Sequence, residues 1–374
     1  MGLNFSMWVK ALRVVPHINK EEWDRLDLIA RWLIATRAMA LVLSFFSATI
    51  AGLLALRVGQ FDFGIWLLLT LGLVMAHGTN NLINDLVDYA KGVDRGNYFR
   101  AQYGPQPLEH GLLTQRQLLT YIAVTGLIAL TSGLALVSLR PGLTLILPLM
   151  AVGAFFVLFY TFPLKYIGLG ELALLVIWGP LMVGGGYYVF TGTWDWNVTL
   201  AGLAYSLGVC AALFGKHIDK LDMDEAKHIR TLPVILGERL ARSGVVAMIV
   251  LQYVLVVYLI AIGFFTLFLL LVFLSLPVFL KNVLPMYQHP RPKERPANYP
   301  ADAWPLWFVA SAFVFSRRFG TMYLLGLILD VAWRLIVRWL CRPVISRRGL
   351  SAEKSHVCRG HQISRFATQK LEFT

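Results

Sequence analysis

Long apolar segments constrain this chain more than any other feature of its sequence. Of its 374 residues, 57% are hydrophobic and 15% are charged, with a mean hydropathy of +0.63. Soluble domains are only about 45 to 50% apolar. A helix that crosses a bilayer needs about 20 apolar residues in succession, and eight segments come near that length. They are 38–56, 63–83, 118–139, 143–162, 169–190, 198–214, 243–262 and 264–280.

These segments are predicted to be helices in a lipid bilayer. Backbone groups must be satisfied within each span, and the segments are too long and too uniformly apolar for the alternating strands of a barrel. We therefore predict an all-α fold, a polytopic membrane helical bundle of about nine transmembrane helices around a central cavity. The net charge of +13 fits basic loops and anionic headgroups. Nucleic acid is not expected as a partner.

The distribution of basic residues orients the predicted spans. Several lie in the N-terminal segment 1–30 and in the loop after the second span, whereas Arg140 alone separates the third and fourth spans. Because basic residues collect on the cytoplasmic side, the N-terminus and the ends of the second, fourth and sixth spans are predicted there. Polar regions near residues 81–94, 160–165 and 216–242 then share one side of the membrane.

The chain is predicted to consist of five segments. They are a cytoplasmic segment 1–30, a transmembrane domain 31–284, a Pro-rich basic linker 285–303, an apolar segment 304–340 and a basic, disordered tail 341–374.

The apolar segment near the C-terminus contains Arg317 and Arg318. Each would cost about 2.5 to 3.5 kcal/mol in the middle of a membrane helix. The segment is therefore either a ninth span that begins past Arg318 or a hairpin of two short arms. We favour the ninth span, in which Asp330 and Arg334 need shelter from lipid.

A polar run lies at the end of the second span. Asn81, Asn84, Asp85 and Asp88 fall within an arc of roughly 100° on a helix, and Asp94 follows. Charged residues close to a membrane helix are costly enough to indicate a function. Amide and carboxylate oxygens suit Mg²⁺, which proteins usually hold with a few carboxylates plus the phosphates of a substrate.

A second acidic cluster, Asp219, Asp222 and Asp224, follows the sixth span. In one interpretation, the acids of both clusters only cap helices and pair with nearby basic residues. If the two clusters face each other, however, their charges repel unless cations lie between them. Clusters bridged by Mg²⁺ suit a diphosphate, because the metal stabilises it as a leaving group. Further phosphate contacts are predicted for Lys165, Lys216, Lys220, Lys227 and Arg230.

The two clusters together resemble the motifs of the UbiA superfamily of intramembrane prenyltransferases. The matching elements are Asn84-Asp85-x-x-Asp88 with Asp94, and an Asp-rich cluster that ends in Thr231-Leu-Pro. The resemblance covers about residues 31–280. It implies an enzyme that transfers a polyprenyl group from an allylic diphosphate to an aromatic acceptor with Mg²⁺.

Further motifs are most similar to the 1,4-dihydroxy-2-naphthoate polyprenyltransferases. They are Tyr160-Thr-x-Pro and Tyr166-x-Gly-Leu-Gly-Glu171, followed by Gly179-Pro180. This resemblance implies a role in menaquinone biosynthesis. We expect an integral protein of a prokaryotic plasma membrane, with the active site facing the cytoplasm as the distribution of basic residues indicates.

We assign expected roles to these residues, from the resemblance for the metal ligands and from the chemistry of proton loss for the base. Asp88, Asp94 and Asp222 are the expected catalytic residues, with Asp94 or Asp222 as the base that activates the acceptor. Asn81, Asn84 and Tyr160 are expected to contact substrate. The expected metal ligands are Asn84, Asp85, Asp88, Asp219 and Asp224.

The second cluster departs from the family pattern. The family commonly places two acids four residues apart, but Lys220 stands four residues before Asp224. On an unbroken helix Asp224 would be turned about 140° from Asp219. We therefore predict a helix break between Asp219 and Asp224, with both as ligands; the alternative is that Asp219 and Asp222 bind the metal alone.

Two alternative functions stay open at this point. A related enzyme could use 4-hydroxybenzoate, homogentisate, a porphyrin-type ring or a glycerol phosphate lipid as acceptor. An ion-coupled secondary transporter would use buried acids to bind Na⁺ or protons. Transporters usually place such acids in the middle of the membrane on broken helices, whereas these lie at the ends of spans, so the enzyme is favoured.

Overall fold

The described part of the chain is helical and contains no β-strand. The computed structural model describes residues 2–96, 104–301 and 303–340. The predicted disordered tail, 341–374, lies outside the described residues. We number the helices α1 (Phe5–Arg13), α2 (Lys20–Asp24), α3 (Leu28–Ala35), α4 (Ala38–Val58), α5 (Phe63–Ala90), α6 (Gln115–Leu139), α7 (Ile146–Phe159), α8 (Gly170–Thr191), α9 (Trp196–Asp219), α10 (Leu221–Ala226), α11 (Leu232–Leu236), α12 (Glu238–Ala261), α13 (Leu267–Gln288) and α14 (Phe308–Leu340).

Eight of these helices are long and apolar enough to cross a membrane. They are α4, α5, α6, α8, α9, α12, α13 and α14. The apolar α7 has only 14 residues and stands where the fourth span was predicted. With α7 included, the predicted bundle of about nine helices is confirmed, and the chain is an integral membrane protein.

Helix α9 is the most buried of the eight and lies at the centre of the bundle. It packs against α8 on one side and against α12 and α14 on the others. Small residues bring α8 and α9 close together, since a Cβ atom on Gly202 would lie 2.9 Å from the carbonyl oxygen of Gly179.

The last helix, α14, is continuous and begins before the two arginines. It has 33 residues, so the predicted start past Arg318 is wrong and the hairpin does not form. Both arginine side chains are exposed, and Arg318 Nε donates to the carbonyl oxygen of Leu274 at 3.2 Å. That carbonyl is available because Pro277, three residues later, has no N–H group to donate.

Asp330 of α14 is fully buried and is therefore shielded from lipid, as a membrane span through this position requires. Its carboxylate accepts from Arg334 Nε at 3.2 Å and from the backbone N–H of Thr266 at 2.8 Å. Arg57 lies 3.9 Å away and stacks on the ring of Phe264. Because a buried carboxylate is tolerated only when paired, this cluster holds α14 against α4 and α13.

The predicted linker is largely irregular. Helix α13 extends into it as far as Gln288, and the described residues between 289 and 307 form only turns and bends. This segment leads the chain to the N-terminus of α14, beside the end of α9.

Candidate active site

A cavity of about 680 Å³ is lined mainly by residues of α4 to α9, with Val309 and Phe313 of α14 also in its wall. Much of its wall is built from Leu, Ala, Gly and Met residues of α5, α6, α7 and α8. One end is polar, and no carboxylate is among the described residues that line it. The polar lining residues at that end are Arg37, His77, Asn80, Asn81, Asn84, Tyr160, Lys165, Lys216, His217 and Lys220.

The polar run of the second span lies on one continuous helix, as its spacing predicts. Helix α5 has 28 residues and begins at an N-cap, Asp62, whose side chain accepts from the N–H of Ile65. Asn81 Nδ2 donates to the carbonyl oxygen of Thr36 at 2.8 Å, and Asn84 Nδ2 donates to Thr161 Oγ1 at 3.2 Å. These bonds turn both amides toward the polar end of the cavity.

The buried carboxylates around the polar end are paired with basic side chains of the chain itself. Each basic partner lines the cavity, whereas its carboxylate lies behind it. The surface that faces a ligand is therefore cationic, and the acids hold the cations in place. The three pairs are Asp85 with Arg37, Asp88 with Lys165 at 2.9 Å, and Asp224 with Lys220 at 2.8 Å.

This arrangement differs from the bare carboxylate clusters expected from the sequence. Among the residues that the structure describes, no group of three His, Cys, Asp or Glu side chains is placed to hold a metal ion. A buried carboxylate needs a compensating charge, and Lys and Arg side chains supply it here.

The predicted helix break in the second cluster is present. Helix α9 ends at Asp219, Lys220 has a non-helical backbone (φ −120°, ψ 24°), and α10 begins at Leu221. The break lets Asp224 turn inward, where it is only 2% exposed. Its Oδ1 accepts from Lys220, and its buried Oδ2 has no hydrogen-bond donor among the described residues. Asp224 therefore offers one buried oxygen to a cation.

Asp219 lies at the start of the last helix and caps it. Its two carboxylate oxygens accept backbone N–H groups at the start of α14, from Trp307 at 3.1 Å, Phe308 at 2.9 Å and Val309 at 2.9 Å. The first N–H groups of a helix lack partners within the helix, so an acidic side chain stabilises them. In this structure Asp219 is therefore the cap of α14.

Several other predicted residues lie away from the cavity lining. Asp94 is buried in the loop after α5, whereas Asp222 and Arg230 are exposed. None of the three is among the described residues that line the cavity. Lys227 Nζ instead donates to backbone carbonyls of the same loop, at 3.3 Å for Gly92, and so joins the two polar regions.

Sequence reasoning missed Arg37. Arg37 directly precedes the first span and pairs with Asp85. A single basic residue at that place is typical of the membrane interface, so the sequence alone did not single it out. Its backbone is left-handed, with φ 56°.

Sequence reasoning also missed a buried acid–histidine pair at the polar end. His217 Nδ1 lies 2.5 Å from Glu171 Oε1, and the other carboxylate oxygen of Glu171 accepts from the N–H of Leu232 at 3.3 Å. The available signal was a polar residue at the start of the fifth span and another at the end of the sixth span, which the predicted topology places on the same side of the membrane.

Comparison with known proteins finds one family over most of the chain. The sequence model of the UbiA prenyltransferase family matches residues 45–312. The chain is 30% identical over 221 residues to 1,4-dihydroxy-2-naphthoate octaprenyltransferase of Escherichia coli (strain K12), covering 56% of this chain and 70% of that protein. It is 26% identical over 226 residues to 2-carboxy-1,4-naphthoquinone phytyltransferase of Synechocystis sp., covering 59% of this chain and 71% of that protein.

A solved structure has the same fold. The apo structure of a UbiA homolog from Aeropyrum pernix K1 matches with a TM-score of 0.55 and 20% sequence identity, over 79% of this chain and 98% of that chain. At this identity the likeness concerns the helical architecture alone.

Proposed function

The chain belongs to the UbiA prenyltransferase family, and from that premise we propose that it prenylates 1,4-dihydroxy-2-naphthoate in menaquinone biosynthesis. Family membership decides for a prenyltransferase over an ion-coupled transporter. The observation that carries the proposal is the cavity, whose cationic end suits a diphosphate and whose apolar wall suits a prenyl chain. The names of two relatives, which refer to naphthoate and naphthoquinone compounds, support the choice of acceptor.

The cationic end of the cavity would hold the diphosphate of the donor. Arg37, Lys165, Lys216 and Lys220 all line it. Charge-assisted hydrogen bonds from such groups to phosphate oxygens are among the stronger polar contacts. Their strength increases where apolar walls exclude water. The prenyl chain would then extend along the wall formed by α5, α6, α7 and α8.

The oxygen groups beside these cations fit Mg²⁺ together with a diphosphate. Mg²⁺ usually takes only one or two carboxylates and completes its shell with substrate phosphates and water. Asp224 offers a buried oxygen without a hydrogen-bond donor among the described residues, and Asn84 lines the cavity. We assign Asn84, Asp85, Asp88 and Asp224 as the residues that hold Mg²⁺. Asp85 and Asp88 are paired with Arg37 and Lys165 in this structure, and they would turn to the ion when the diphosphate binds those cations. When bound, the ion supplies charge neutralisation for the departing diphosphate.

Residues that line the cavity serve two parts of the proposed reaction, the departure of the diphosphate and the exclusion of water. The allylic C–O bond breaks and its electron pair leaves with the diphosphate, whose charge Lys165 and Lys220 stabilise. A ring carbon of the acceptor supplies the electron pair for the new C–C bond, and the carboxylate on that carbon leaves as CO₂. Until the ring carbon attacks, the apolar wall keeps water from the allylic cation.

In this proposal the polar end of the cavity faces the cytoplasm of a prokaryotic cell. The loops at that end carry more basic residues than the loop around Arg140, which the positive-inside rule places on the opposite side. The soluble aromatic acceptor and the diphosphate group of the donor would then reach the site from the cytoplasmic side.

Incubation of membranes with an allylic diphosphate, Mg²⁺ and a set of acceptors tests the proposal. The set contains 1,4-dihydroxy-2-naphthoate, 4-hydroxybenzoate and homogentisate, and products are identified by mass spectrometry. We expect prenylated product from the naphthoate and none from membranes that lack the protein. Transfer to another acceptor but not to the naphthoate would refute the choice of acceptor and leave the family assignment intact.

A further inference from the structure

The buried pair of Glu171 and His217 has no part in holding the diphosphate or the metal. Glu171 is fully buried and His217 is 2% exposed. Nevertheless, His217 is one of the residues that line the polar end of the cavity. A buried carboxylate without hydrogen-bond partners would be strongly destabilising, so Glu171 depends on its contact with His217.

Glu171 determines how the imidazole of His217 faces the cavity. The carboxylate accepts a hydrogen bond from Nδ1–H at 2.5 Å and is itself held by the N–H of Leu232. In a neutral imidazole with its proton on Nδ1, Nε2 is a hydrogen-bond acceptor. The ring edge that carries Nε2 points away from Glu171. Among the described residues, His217 has no hydrogen bond other than that to Glu171.

Nε2 of His217, a hydrogen-bond acceptor, lies among hydrogen-bond donors. Its neighbours along the chain, Lys216 and Lys220, line the same end of the cavity and can only donate. Phosphate oxygens need donors, so the lysines suit the diphosphate. An unprotonated Nε2 instead suits a group that donates, and the aromatic acceptor of the proposed reaction carries hydroxyl groups.

We propose that His217, oriented by Glu171, binds a hydroxyl group of the aromatic acceptor and so holds its ring beside the diphosphate site. His217 is then a substrate-binding residue and Glu171 a positioning residue. This inference rests on the proposed function. It adds the place and the hydrogen-bond polarity of the acceptor site.

Steady-state kinetics of the purified protein in nanodiscs test this assignment. His217→Leu removes the acceptor nitrogen, and loss of one hydrogen bond should raise the KM for 1,4-dihydroxy-2-naphthoate by about tenfold. The KM for the allylic diphosphate should stay unchanged within error. His217→Asn should restore much of the loss, because Asn can donate to Glu171 and still present an oxygen to the cavity.

Glu171→Gln provides a second test with a side chain of the same size. Its amide N–H group would donate to Nδ1 and place the ring proton on Nε2, which could then no longer accept. The KM for the naphthoate should therefore rise with this variant too, while thermal unfolding confirms that it folds. Equal increases in both KM values, or no increase in the naphthoate KM for either variant, would overturn the assignment.

Direct binding separates this inference from the proposed function. If the wild-type protein prenylates no aromatic acceptor, the proposed function fails. Titration with 1,4-dihydroxy-2-naphthoate in the absence of donor then decides the inference. Weaker binding by His217→Leu than by wild type supports it, whereas equal affinity overturns it.

Discussion

Asp88→Asn is expected to lower prenyl transfer by at least about 100-fold, in the range seen when one preorganised electrostatic group is removed from an active site. Asp88 is fully buried and accepts from Lys165 Nζ at 2.9 and 3.0 Å. Asn keeps the shape of the side chain but removes the charge that positions Lys165 and, in our proposal, binds Mg²⁺. Initial rates at saturating donor, acceptor and Mg²⁺ measure the effect.

Asp222→Asn is the matched control for this variant. Asp222 is also an acid of the predicted site, but it is exposed on α10, so its replacement should leave the rate unchanged within error. Thermal unfolding of both variants shows whether they fold. A rate for Asp88→Asn close to that of wild type, or an equal loss in both variants, would contradict the site described here.

Gly153→Phe is expected to reduce transfer from a long donor far more than from a short one. Gly153 of α7 lines the apolar part of the cavity, and a Cβ atom there would meet nothing within 4 Å. A phenyl ring can therefore occupy space proposed for the prenyl chain. Each methylene that loses its buried position costs about 0.8 kcal/mol. The ratio of kcat/KM for geranylgeranyl to geranyl diphosphate should accordingly fall by about tenfold or more.

Leu147→Phe adds a comparable ring to the same helix as a control. Leu147 is 54% exposed in the structure and is not part of the cavity wall, so the donor ratio should not change. Equal reduction for both donors with Gly153→Phe would show that the prenyl chain does not extend past this position.

Hydropathy predicted most of the fold because bilayer thickness sets the length of each span. It did not predict where α14 begins, since Arg317 and Arg318 were weighed as if they faced lipid alone. The carbonyl oxygen of Leu274 accepts from Arg318, and that contact depends on how α13 and α14 pack. A contact between helices distant in sequence is not visible in an apolar pattern.

In the candidate site, too, features set by nearby residues could be predicted, whereas contacts between distant residues could not. Helical periodicity was enough to place Asn84, Asp85 and Asp88 on one face of α5, and the unusual spacing around Lys220 was enough to predict a break. The partners of Asp219 lie 88 to 90 residues away along the chain, so its capping role could not be predicted. Pairing of the acids with nearby basic residues was one of the two interpretations of the clusters, and it describes Asp85, Asp88 and Asp224 in this structure. The partners of Asp85 and Asp88 lie 48 and 77 residues away along the chain, so they could not be identified from the sequence.

The central claim is that the polar end of the cavity binds a diphosphate together with Mg²⁺. Binding of an unreactive geranylgeranyl thiolodiphosphate to the purified protein, with Mg²⁺ and with EDTA, tests it without depending on the acceptor. We expect Mg²⁺ to tighten binding by at least about tenfold, equivalent to about 1.4 kcal/mol, and Asp224→Asn to lose most of that gain. Equal affinity in Mg²⁺ and in EDTA would contradict the claim.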